Sequence, residues 1–114
     1  MNLQESIRKV LREESKLSPL IRRRVPQDDL EREFEESLDM SSNMFRNVNN
    51  NSGEIISLNR FINVTTSILM DGIHHDLYST IGPEKEWYDE VKESLEEYFR
   101  DRIKYRYRKL MSEM

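Results

Sequence analysis

Apolar side chains recur along this chain at spacings of three and four, the period of a helix with one buried face. The richest segment is 54–78. There Ile55, Leu58, Ile62, Thr65, Leu69 and Ile73 form one stripe, and Phe61, Val64, Ile68 and Leu77 widen it to a second face. A helix apolar on more than one side is buried between neighbours, so the pattern predicts a central helix over 54–78. A second helix is expected over 27–46, with Leu30, Phe34, Leu38 and Phe45 as its face and Met44 beside them. A third is expected over 84–111. Trp87, Val91, Leu95, Phe99, Ile103 and Tyr107 recur there every four residues and Leu110 follows at three, which predicts a buried or half-buried Trp87.

Ahead of these, residues 2–16 carry a narrower stripe, Leu3, Ile7, Val10 and Leu11, with Asn2 as N-cap and Glu5 three positions on as in a capping box. Ser18-Pro19 stops that helix, because the residue before proline avoids helical backbone angles. So few apolar side chains do not hold a helix in water alone. Leu3, Ile7, Val10 and Leu11 are therefore read as a partner-binding face on a docking helix over residues 1–17, and residues 1–16 as the most mobile part of the chain. Residues 18–26, SPLIRRRVP, form a basic connector. Its Arg22, Arg23 and Arg24 are consecutive and fan outward. They serve either as a solvated turn that offsets the acidic helix after it or as a contact for phosphate or an acidic partner. The stretch NVNNNSG over 47–53 reads as a loop with Ser52 capping the central helix, and STIGP over 79–83 as the second break. The fold expected is all-α: a small three-helix bundle, up-down-up, with an additional N-terminal amphipathic helix.

Composition narrows the function classes. The chain has 114 residues, no Cys, three Gly, three Pro and a formal net charge of −4. Disulfides and thiolate metal sites are therefore out of reach. No apolar run approaches the ~20 residues that span a bilayer, and the charged N-terminus is not a secretory signal. The reading is an intracellular protein with no membrane partner. Charge is unevenly spread: residues 1–26 come to +4, 27–54 to −6, 84–99 to −5 and 100–114 to +4. A thin core, methionine-rich ends and a long last helix permit a homodimer without specifying one.

Candidate chemistry is sparse. Glu31, Glu33, Glu35 and Glu36 lie on one helix without the turning loop a cation site needs, so they read as a solvated face. His74 and His75 are adjacent and point about 100° apart on a helix, whereas two zinc-binding histidines sit at i, i+4. No catalytic residue, metal or cofactor is assigned. The strongest candidate is the end of the last helix, where Arg100, Arg102, Lys104, Arg106, Arg108 and Lys109 interleave with Tyr105 and Tyr107. Cations with rings between them suit phosphates and bases. They equally suit an acidic protein partner, or a plain response to the helix dipole. This basic end is expected to protrude beyond shorter neighbouring helices.

The opening MNLQESIRKVLREE, with the Ser-Pro break and LIRRR after it, resembles the start of many small uncharacterised proteins of marine contractile-tailed phages. In better-known relatives of those phages a short N-terminal helix ends in a Leu-X-Glu or Ile-X-Glu cleavage site and targets internal proteins to the prohead. The resemblance implies a cleavage site at Leu11, Arg12 and Glu13, and a place in the host cytoplasm or the virion. It also implies a non-enzymatic accessory or structural role exercised through a protein partner. The alternative from the residues themselves is a nucleic-acid-associated regulator using the basic C-terminal helix.

Overall fold

The structure, a computed structural model, describes residues 21–22, 25–81 and 85–114, with the backbone alone over 74–81 and 85–87. The proposed docking helix, the Leu11–Arg12–Glu13 site, Arg23, Arg24 and the side chains of His74, His75 and Trp87 lie outside the described residues.

Three helices follow one another: α1 Gln27–Ser52, α2 Leu58–Ile81 and α3 Lys85–Ser112. They pack up-down-up, α2 antiparallel to both others. Most interhelical contact involves α2, so the expected central helix is central. No strand occurs among the described residues.

Each helix starts and stops for a local reason. Pro26 precedes α1 without donating a side-chain cap. Asp28 and Asp29 stand in the first turn, where the helix dipole favours them. The Asn-rich stretch expected to be a loop is the last two turns of α1. Apolar spacing explains the correction: Met44 and Val48 continue the stripe and pack against the core, while the asparagines stay outside it. The helix ends at Gly53, whose φ of 72° is left-handed and whose amide donates to the Asn49 carbonyl. Ser52 belongs to α1, donating its hydroxyl to the Val48 carbonyl at 2.7 Å. The cap of α2 is Ser57 instead, which accepts from the Arg60 amide at 3.2 Å. The central helix thus begins four residues later than its apolar pattern suggests, and Ile55 is 51% exposed.

The core is one cluster. Phe34, Phe45, Phe61 and Phe99 are its largest buried side chains, joined by Leu30, Leu69, Met70, Ile73, Val91, Leu95 and Ile103. Ile21 and Val25 are buried in it too, and the Val25 amide donates to the Ile21 carbonyl. Ile21 and Val25 thus turn the described part of the connector inward. The two interhelical seams with α1 differ in character. Between α1 and α2 a hydroxyl pair sits beside an aromatic one: Ser41 and Thr65, both buried, meet at 2.7 Å between their Oγ atoms, and Phe45 meets Phe61 edge-on. Further up, Gly72 leaves room for the Glu33 carboxylate. Between α1 and α3 the seam is aromatic, with Phe34 stacked on Phe99. Every buried side-chain nitrogen or oxygen among the described residues has a hydrogen-bond partner, as a low-dielectric interior demands.

The end of α3 does not protrude. At 26 residues α1 is about 39 Å long, close to the ~42 Å of the 28-residue α3. The extra turns of α1 accompany α3 to its end, where Leu110 is buried and Arg46 meets Glu113 at 3.5 Å.

Candidate functional site

On α3 successive residues turn by about 100°, so the basic run cannot present one face. The fold divides it. Arg102 and Arg106 point to α1. Arg102 makes a bidentate contact with the Glu31 carboxylate, its second arm at 3.1 Å, and lies 4.6 Å over the Phe99 ring and 5.2 Å over the Phe34 ring. Arg106 donates to Asp39 at 3.0 Å and to the Ser42 hydroxyl at 3.3 Å. Tyr107 is half-buried, donates to the Ile56 carbonyl at 2.7 Å and meets Phe45 edge-on. These three residues, expected in a basic patch, fasten α3 to the bundle.

The Arg102 guanidinium illustrates the balance. Burial by itself would lower its pKa. The hydrogen bond and charge of Glu31, with smaller contributions from Tyr98 and Glu35, outweigh that and hold it above the ordinary arginine value.

The remaining members fall on two sides. Arg100 and Lys104 stand on the α2 side, rimming a shallow groove with Glu96 on their own helix and Leu58, Asn59, Ile62 and Asn63 on α2. Arg108 continues their row one turn on and is exposed. Among the described residues no carboxylate pairs with Arg100, Lys104 or Arg108. Glu96 faces Lys92 at 4.0 Å, and Lys92 also donates to the Asn63 side chain. Tyr105, 73% exposed, and Lys109 stand on the α1 side, in a second groove with Glu35, Leu38 and Asp101. Arg22 is exposed.

A further surface escaped the reading of the sequence. Met40, Met44 and Val48 lie at i, i+4 and i+8 on α1, with Asn43, Asn47 and Asn51 beside them. Met40 is 57% exposed. The spacing was visible, but assigning residues 47–53 to a loop cut the stripe in half.

Among the described residues no group of three His, Asp or Glu could hold a metal ion, and no described helix is long and apolar enough to cross a membrane. Comparison with known proteins leaves the chain by itself: no family model matches it, and neither a curated protein nor a solved structure resembles it significantly.

Proposed function

We propose that this is a non-enzymatic accessory or structural protein of a contractile-tailed phage, acting through protein–protein contact in the infected host cell. One observation carries the contact reading. The outer face of α1 changes character halfway along. Its first half is acidic, but the surface formed by exposed Met40 and by Met44 and Val48, half-buried against the core, carries only methionine, valine, asparagine and Ser52. Charge depletion with methionine enrichment marks the centre of a protein interface, and flexible thioethers adapt to a partner's shape. Leu3, Ile7, Val10 and Leu11 supply a second contact in this reading.

Affinity capture from host lysate tests it, with and without nuclease, comparing the native chain with a Met40→Glu, Met44→Glu variant. The expected result is a discrete protein that survives nuclease and is lost by the variant. Equal recovery by the variant, or co-purified proteins that vanish with nuclease, refutes it. The second outcome would favour the nucleic-acid reading, supported by the unpaired row Arg100, Lys104 and Arg108.

A further inference from the structure

We infer that the groove between α2 and α3 receives an acidic amphipathic helix of a protein partner, its carboxylates set against Arg100, Lys104 and Arg108. This inference rests on the protein-contact reading and assigns a second surface to it.

The groove's two walls differ. Its α3 wall carries Arg100 and Lys104 at i and i+4, and Arg108 follows at i+8, exposed and beyond the groove's lining. The row spans about 12 Å, or two turns of helix. A partner helix with acidic residues at the same spacing would meet each cation in turn. The α2 wall carries the Asn59 and Asn63 amides, which hydrogen-bond without adding charge, and the floor is the edge of Leu58 and Ile62. An apolar floor beside a charged rim is the arrangement that takes an amphipathic helix.

Among the described residues no ion pair holds these cations, and the carboxylates that reach across from α1 are taken by their neighbours on α3. Glu31 and Asp39 hold Arg102 and Arg106, and Glu96 faces Lys92. A nucleic-acid strand fits the groove less well. Stacking rings are needed for unpaired bases, yet Tyr107 is tied to Ile56 and Tyr105 stands on the α1 side of the helix. Glu96 lies in the groove itself, and the net charge of the chain is −4. A carboxylate helix presents discrete charges that can avoid Glu96, whereas a continuous phosphate backbone cannot.

Fluorescence anisotropy on the full chain tests this with three labelled probes. The first is a short synthetic helix with Glu at i, i+4 and i+8 and Leu along the adjoining stripe. The second has the same composition with the Glu residues dispersed, and the third is an oligo-dT of equal net charge. The spaced peptide should bind roughly tenfold tighter than the dispersed one, weaken from low salt to about 0.5 M, and lose roughly tenfold in an Arg100→Glu, Lys104→Glu variant. Circular dichroism melts identify any loss of fold in that variant, and a Lys104→Gln variant then repeats the measurement. Tighter binding of oligo-dT, equal binding of the two peptides, an unaffected variant or no saturable binding each overturns the inference. Lysate capture separates this failure from that of the parent reading. A partner lost by the Met40, Met44 variant but kept by the Arg100, Lys104 variant leaves the protein-contact reading standing and removes the groove.

Discussion

Phe34 and Phe99 lie face to face, their ring centroids 3.9 Å apart and their planes within 8°. They come from helices that do not follow one another in the chain. Both rings are buried, and the Arg102 guanidinium covers their outer edge. This pair is where α1 and α3 meet most closely in apolar terms.

Removing one ring should therefore cost more than any surface change. Phe99→Ala is expected to lower the unfolding free energy by about 3–5 kcal/mol, a large share of the total for a domain of this size. Urea denaturation reads the change directly. A loss below about 1 kcal/mol would mean that the rings do not pack as described.

Arg102 combines a charge pair with ring packing, and the two can be separated. Arg102→Met keeps an apolar stem over the rings and removes the pair with Glu31. It should cost about 1 kcal/mol or less, because both partners are more than a third exposed and solvent screens them. Arg102→Ala should cost more, since the ring cover goes too. The guanidinium pKa is raised, so its contribution is complete below the ordinary arginine value and is lost only at more alkaline pH. The difference in stability between Arg102→Met and the native chain should then show no step from deprotonation of Arg102 between about pH 6 and 10. Equal costs for the two substitutions would remove the packing half of this account.

The Ser41–Thr65 hydroxyl pair predicts non-additivity. One hydroxyl donates to the other, and the accepting one donates its own proton to a backbone carbonyl, Leu38 for Ser41 or Phe61 for Thr65. Ser41→Ala and Thr65→Val should each cost about 1 kcal/mol, and the double variant less than their sum by about 0.5–1 kcal/mol. A double-mutant cycle by chemical denaturation measures the coupling. Strict additivity would mean that the hydroxyls do not interact.

Two glycines should respond to alanine with opposite sign. At Gly53 the space around an added Cβ is open, but φ is 72°. Gly53→Ala is thus expected to destabilise by about 1 kcal/mol through backbone conformation alone, and Gly53→Asn by less. At Gly72 the backbone is helical, and an added Cβ meets only the end of the Glu33 side chain. That carboxylate can swing aside, so Gly72→Ala should be neutral or stabilising by up to about 1 kcal/mol. Thermal melts of both variants suffice, and a shift of the same sign in both would contradict the assignment.

Much of this fold was legible because the apolar period is strong. Leu30, Phe34, Leu38 and Phe45, and likewise Val91, Leu95, Phe99 and Ile103, mark faces that are buried as expected. The boundaries were less legible. Asn47, Asn49, Asn50 and Asn51 carry turn propensity, but packing of Met44 and Val48 keeps them helical, and that override is not visible locally. The same error made α1 look short and α3 look as if it overhung. The basic patch was legible as residue types but not as a surface. Which of its cations are free depends on where Glu31 and Asp39 fall across a helix interface, and no local pattern encodes that.

The aromatic seam between α1 and α3 also bears on how the chain assembles. The ion pairs that flank it join residues 71 and 67 positions apart, at Arg102–Glu31 and Arg106–Asp39. The α1–α2 and α2–α3 pairings are hairpins of neighbours and need shorter loops to close. Closure of α3 on α1 is then expected late in folding, and its release early in unfolding. Substitutions at Phe99 should chiefly accelerate unfolding, with φ-values near zero, while changes at Phe61 should slow folding. With that outcome the stacked rings would act as the latch of the bundle, their packing governing the lifetime of the native state.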